Sequence, residues 1–259
     1  MKRIVGIIPA RMASSRFPGK PMAKILGMPM IGHVYLRSKL CELLDEVYVA
    51  TCDQKIYEYV ESIAGKTVMT ADTHERASDR AAEAILKVDE ETGQETDIVV
   101  MIQGDEPMII PEMIEESVRP MLEDETVKIT NLMGEIKSKE DHENPNIVKV
   151  VVGKDNNALY FSREPIPSRK KASGEIPMYK QVPIISFARD FLLKFIELKP
   201  TPLEIVESVD MLRILEHGYD LKMIFTRFET FGVDTAEDLN RVSVLMKDDK
   251  FMPRYATQG

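Results

Sequence analysis

Three short stretches of this 259-residue sequence carry side chains suited to phosphate and divalent-metal chemistry. The first is Pro9-Ala10-Arg11-Met12-Ala13-Ser14-Ser15-Arg16-Phe17-Pro18-Gly19-Lys20-Pro21, where cations and hydroxyls gather in one loop. Arginine offers a planar fork to phosphate oxygens, lysine a mobile point charge, and loop amides further donors. The second is Gln103-Gly104-Asp105-Glu106-Pro107 and the third Gly232-Val233-Asp234-Thr235. Magnesium takes one or two carboxylates and completes its shell with phosphate oxygens and water, so Asp105 is the first metal candidate and Asp234 the second. Combined with the cationic loop, they supply the parts of a metal-assisted phosphoryl or nucleotidyl transfer site, in which positioning and charge neutralisation provide most of the rate. Plainer readings stand beside these: a solvated basic loop for the first stretch, and an ordinary helix cap for Asp234. The loop is not a Walker A motif, since Pro21 follows Gly19-Lys20, and the missing Gly-x-Gly-x-x-Gly argues against a nicotinamide dehydrogenase.

In open α/β sheets ligands gather at the carboxyl ends of the strands, so each stretch needs a strand to deliver it. Residues 4–8 are a β-branched run ended by Pro9, the pattern of a strand buried on both faces. After a loop to Pro29, apolar spacing predicts a helix over 30–44, a strand over 47–51, a helix over 56–64 and a strand over 67–70. A helix over 78–88, a strand over 98–102 and a helix over 111–122 continue the alternation, which predicts an α/β layered domain with right-handed crossovers. The strands expected at 128–133, 148–152, 158–162 and 182–187 are separated mostly by loops, so antiparallel pairing is expected there. Residues 168–177, with Arg169, Lys170 and Lys171, read as a polar loop able to close over a ligand. A helix over 202–216, a strand over 221–226 and a helix over 235–246, opened by a capping-box variant, complete a chain read as one domain over 1–259.

Composition removes several function classes. A chain of this size buries about 75% of its unfolded surface and needs no covalent staple. Lys plus Arg is 34 and Asp plus Glu is 43, and the resulting charge of −9 disfavours broad attraction to nucleic acid or an anionic membrane. Cys41 and Cys52 form no Cys-x-x-Cys pair, so a disulfide scaffold or thiolate zinc site is not expected, and a reducing cytoplasm fits best. The first apolar run is too short for a membrane span and resembles no cleavable signal. His33 reads as packing or surface, His142 and His217 as exposed, the methionines as core filling, and Cys52 as lacking the partner a nucleophile needs. Glu204, Glu207 and Asp210 share a helical face, read as solvated acid or as a contact to an acceptor hydroxyl.

The three stretches, with Pro145-Asn146-Ile147-Val148-Lys149-Val150, Ala158-Leu159-Tyr160-Phe161-Ser162-Arg163 and Ala236-Glu237-Asp238-Leu239, resemble the 3-deoxy-manno-octulosonate cytidylyltransferases in order along nearly the whole chain. The resemblance implies a Rossmann-like three-layer nucleotidyltransferase fold with a mainly parallel central sheet, and a smaller, partly antiparallel region near 128–190 for dimerisation and acceptor binding. It implies a Mg²⁺-dependent enzyme that couples CTP to a 2-keto-3-deoxy sugar acid and releases pyrophosphate, working as a homodimer. Lys20, Asp105 and Asp234 would be catalytic, with both aspartates on the metal. Pro9, Ala10, Arg11, Ser14, Ser15, Lys20, His74, Ser78, Arg80 and Gln103 would bind the nucleotide, and Arg163, Gln181, Glu207 and Asp210 the acceptor.

The chain also departs from that pattern. Arg76 and Ala77 stand where the resemblance has serine and glycine, and Gln181-Val182-Pro183-Ile184-Ile185 stands where it has His-x-Gly-x-Tyr. Met211, in Asp210-Met211-Leu212-Arg213, replaces a polar residue. A site built for hydroxyls discriminates against ligands that leave its polar groups unpaired, so a modified acceptor such as an amino-octulosonate or nonulosonate stands as the alternative. A nucleotide-binding regulator without turnover is a further alternative.

Overall fold

In the computed structural model, which describes residues 2–13, 17–170 and 176–256, the first apolar run becomes β1 (Ile4–Ala10). Its residues Val5, Ile7 and Ile8 are wholly buried, as a strand covered on both faces requires. A short hairpin of β2 (Lys24–Ile25) and β3 (Met28–Pro29) leads into α1 (Met30–Ser38). Then follow β4 (Glu46–Thr51), α2 (Gln54–Ser62), β5 (Thr67–Met69), α3 (Ala77–Thr92), β6 (Ile98–Ile102) and α4 (Pro111–Glu123). β1 pairs in parallel with β4 and β6, and β4 in parallel with β5, so the sheet expected from the strand–helix alternation is formed.

The contacts divide the chain into two compact units, Met1–Glu115 with Thr230–Gly259, and Glu116–Glu229. The second unit holds β7 (Ile129–Glu135), α5 (Lys139–Glu143), β8 (Lys149–Val152), β9 (Ala158–Ser162) and β10 (Tyr179–Ala188). It continues with α6 (Arg189–Glu197), α7 (Pro202–Glu207), α8 (Met211–Glu216) and β11 (Lys222–Phe225). β7 runs antiparallel to β10 and parallel to β11, and β8 is antiparallel to both β9 and β10, as loop-linked strands lead one to expect. Phe161, Phe187, Phe195 and Leu212 fill its core. The chain then returns to the first unit as α9 (Ala236–Leu245) and α10 (Met252–Tyr255).

Two helices differ from their sequence pattern. α1 ends at Ser38, not at residue 44: the Ser38 hydroxyl donates to the Val34 carbonyl (2.7 Å), and the amides of Leu40 and Cys41 turn back to carbonyls three residues behind. The single helix expected over 202–216 is two, α7 and α8, broken where Ser208 takes a positive φ of 53°. Continuous apolar spacing concealed that break, because Val209, Met211 and Leu212 are buried on the far side of the turn.

Candidate functional site

The three stretches singled out by their chemistry meet in the first unit. Gly19, at φ 75°, adopts the left-handed conformation that a side chain disfavours, and its amide donates to the Met12 carbonyl (3.0 Å). This turns the chain into the 3₁₀ segment Lys20–Met22 and aims Lys20 inward. Asp105 lies just beyond β6, where a Cβ on Gly104 would stand 3.1 Å from the Pro9 carbonyl oxygen, tighter than an ordinary contact; glycine eases the close approach of the ends of β1 and β6. The Asp105 carbonyl accepts from the Val233 amide (3.0 Å), which fixes the next residue, Asp234. Asp234 is not the cap of α9: Thr235 is, its Oγ1 accepting from the Asp238 amide (3.2 Å). Asp234 is thereby left to point its carboxylate elsewhere.

It points to Lys20. Lys20 Nζ donates to Asp105 Oδ2 at 2.7 Å and to Asp234 Oδ1 at 3.1 Å, joining residues 85 and 214 positions away. The lysine side chain is 13% exposed and the carboxylates 34% and 38%. Burial opposes the ammonium charge, but the charge and hydrogen bond of Asp105, then of Asp234, outweigh it and hold the Lys20 pKa above the ordinary lysine value. An apolar cluster of Ile25, Met30, Val233, Val242 and Met246, flanked by Phe17 and Met108, packs beneath all three strand-end loops.

The donor chemistry fits a hard divalent cation. Two carboxylates are directed at one cationic centre, and among the described residues no group of three or more His, Cys, Asp or Glu could hold a metal. Carboxylate oxygens suit such a cation better than they suit a soft one.

The other nucleotide candidates are placed as follows. Pro9 and Ala10 end β1, Arg11 is exposed, and Gln103 is half-buried after β6. Ser14 and Ser15 lie outside the described residues, as do 171–175 of the polar loop. Ser78 is buried in the first turn of α3. His74 Nε2 pairs with Glu83, which also accepts from the Ala71 amide (2.9 Å). Burial opposes ionisation of Glu83, yet bonds from Lys87, the Ala71 amide and His74 bring its pKa down to about 2. Arg80 bonds Thr70 Oγ1 and the Ala71 carbonyl (3.2 Å), and its buried Nη2 has no hydrogen-bond partner among the described residues. Sequence reasoning missed Asp53, whose Oδ2 accepts from the Met12 amide (2.7 Å) and ties the cationic loop to the end of β4. Its only signal was its place after a strand.

The acceptor candidates occupy the second unit. Glu207 receives Ser162 Oγ (2.7 Å), Tyr160 OH (3.2 Å) and the Arg163 amide (2.8 Å). Burial works against its charge, but the Arg163 amide, Ser162 and Tyr160 hold its pKa below the usual carboxylate value. Arg163 Nε donates to the Glu207 carbonyl (2.8 Å) and Nη1 to that of Pro145 (3.0 Å). Gln181 Nε2 donates to Asn131 Oδ1 (2.7 Å), and Asp210 stands half-buried at the start of α8. Glu204 corrects the reading of a solvated acidic face: it is wholly buried, and Arg213 grips it through Nε (2.8 Å) and Nη2 (2.5 Å). His142, expected to be exposed, is 4% exposed and bonds the Ile166 carbonyl (3.0 Å). His33 is packing, wholly buried between Tyr255 OH and the Ile25 carbonyl (both 2.9 Å).

A cytidylyltransferase family profile matches residues 5–224. The chain belongs to the cytidylyltransferase family. It is 44% identical over 250 residues to a 3-deoxy-manno-octulosonate cytidylyltransferase of Geobacter metallireducens, covering 93% of this chain and 96% of that one. A protein of the same name from Geotalea uraniireducens is 43% identical over 255 residues, covering 95% and 99%. Among solved structures, a CMP:2-keto-3-deoxy-manno-octonic acid synthetase complexed with CTP is 38% identical, with a TM-score of 0.88 over 95% of this chain and 99% of that one. The cytidylyltransferase chain therefore has the Rossmann-like nucleotidyltransferase fold expected of it, and it is an enzyme of that class. Among its described residues no helix is long and apolar enough to cross a membrane.

Proposed function

We propose that this cytidylyltransferase couples CTP to 3-deoxy-manno-octulosonate to form the CMP-sugar, with release of pyrophosphate. The observation that carries the reading is the meeting of Lys20, Asp105 and Asp234 at one centre, in a chain so similar to proteins of that name. The sugar's anomeric oxygen forms a bond to the α-phosphorus of CTP while the bond to the bridging oxygen of pyrophosphate breaks. No covalent enzyme intermediate is required. Lys20 and Arg11 hold the triphosphate oxygens, and the Ser14 and Ser15 hydroxyls would add donors to them. Pro9, Ala10, His74, Ser78 and Gln103 shape the nucleotide site, and the unpaired Nη2 of Arg80 supplies it a donor. Asp105 and Asp234 would hold Mg²⁺, which when bound neutralises phosphate charge and lowers the pKa of the attacking hydroxyl, so no histidine base is needed.

The acceptor falls to Arg163, Gln181, Glu207 and Asp210. A guanidinium suits a sugar carboxylate, and Glu207 orients Arg163 through both its main chain and its side chain. The active species on this reading is a cytoplasmic homodimer that uses the region near 128–190.

A second acceptor remains in play at one position: Gln181 presents an amide whose Nε2 is already committed to Asn131, where the resemblance has an imidazole. Pyrophosphate release, measured with CTP, Mg²⁺ and a panel of 3-deoxy-manno-octulosonate, an amino-modified octulosonate and a nonulosonate, tests both. The highest kcat/KM is expected with 3-deoxy-manno-octulosonate. A higher value with another acid overturns the acceptor, and tight CTP binding without turnover of any acid overturns catalysis.

A further inference from the structure

Lys149 opens β8 and is wholly buried, one of the largest fully buried side chains in the protein. Its ammonium carries three donors and no acceptor. All three are used: Nζ donates to the carbonyls of Asn144 (2.7 Å), Ile147 (2.9 Å) and Arg163 (2.6 Å). These partners are neutral carbonyls rather than a carboxylate. Burial of a charge in this way is unfavourable unless every donor is satisfied, so the arrangement holds only while the three carbonyls converge. Burial pulls the lysine pKa below its ordinary value, with Glu164 opposing.

The carbonyls come from two pieces of chain. Asn144 and Ile147 bracket the turn before β8, and Arg163 follows β9. Arg163 grips the same turn from its other side, through Nη1 to the Pro145 carbonyl (3.0 Å), and reaches Glu207 through Nε and its amide. A cation tethered to β8 thus fixes the backbone from which the guanidinium extends. We propose that Lys149 is a positioning residue for the acidic acceptor, acting as a built-in cation that locks the 144–147 turn and Arg163 in binding geometry. This rests on the assignment of Arg163 to the acceptor.

The test compares Lys149→Met, Arg163→Ala and the double variant in the full-length enzyme, with CTP, Mg²⁺ and 3-deoxy-manno-octulosonate. Lys149→Met should raise the KM for the acid sugar roughly 10- to 100-fold, the scale of a misplacement near 1 Å, while the KM for CTP stays within about twofold. The double variant should be little worse than the worse single one, because both substitutions break one unit. Equal rises in both KM values, or fully additive losses, would mark a merely structural lysine and overturn the proposal. If Arg163→Ala leaves the acid-sugar KM unchanged, the acceptor assignment falls and the proposal with it; if it raises that KM and Lys149→Met does not, the proposal alone falls. Should the Met variant not fold, Lys149→Gln keeps two donors and should show the same split at smaller amplitude.

Discussion

At the scale of single residues, the site is one cation shared by two carboxylates. The Lys20, Asp105 and Asp234 types were legible in the sequence because each follows a strand or precedes a helix, but a pairing across 214 positions has no local signal. Asp105→Ala should lower kcat by about 10²- to 10³-fold or more, the usual loss when a preorganised electrostatic group is removed, with a small change in melting temperature because its side chain is 34% exposed. Steady-state kinetics beside a thermal melt separates the two; parallel loss of activity and stability would contradict a catalytic role. Glu83 gives a pH prediction. Its folded pKa of about 2 lies below the ordinary glutamate value of 4.5, so its bonds to His74, Lys87 and the Ala71 amide stabilise the fold fully above pH 4.5 and lose that contribution as pH falls towards 2. Urea unfolding across that window should show Glu83→Gln less stable than the natural protein at pH 6, with the gap closing as the solution is acidified.

At the scale of elements, the alternating strands and helices were legible because buried parallel strands write themselves as short apolar runs bounded by turn residues. Tertiary packing decided what periodicity could not. The helix expected over 202–216 breaks at Ser208, and Arg213, beyond the break, folds back onto Glu204, before it. Nor does any local pattern announce Asn131, a buried amide in β7. Its Nδ2 donates to the carbonyls of Val182 (2.7 Å) and Ile184 (3.0 Å), where the register of β10 against β7 shifts around Pro183. Pro183 gives the ladder no amide, and at the same irregularity the side chain of β7 donates to the two flanking carbonyls. Asn131→Ala should cost about 1–3 kcal/mol in urea unfolding, the usual result of stranding buried carbonyls, and should also release Gln181 from its bond. Arg37 does comparable work in the first unit: 1% exposed, it bonds the Ile109 carbonyl (2.7 Å) and both oxygens of Asp249 (2.8 and 3.1 Å), holding the chain that leads to α10. Arg37→Met leaves the Asp249 carboxylate with only the amides of Phe251 and Met252 (both 2.9 Å) and should destabilise by about 3 kcal/mol, whereas the pair as a whole contributes less.

At the scale of the whole molecule, a protein of net charge −9 is read as binding two anions, so its summed field works against both. On the proposed reading, affinity comes from local cations: Lys20 and Arg11 in the first unit, Arg163 in the second. This division of labour predicts where each ligand leaves its mark. A ligand that binds only the folded state at about 100 times its Kd stabilises that state by about 2.7 kcal/mol, which slows amide exchange through the opened state about 100-fold. Hydrogen–deuterium exchange with CTP and Mg²⁺ should therefore protect the segments around Lys20, Asp105 and Asp234. Adding the acid sugar should extend protection to 144–163 and the amide of Gln181. Asp105→Ala should remove the part of the first effect that depends on Mg²⁺ and leave the rest. Protection of 144–163 by CTP alone, equal to that around Lys20, would mean that the nucleotide is read by both units and that Arg163 does not belong to the acceptor.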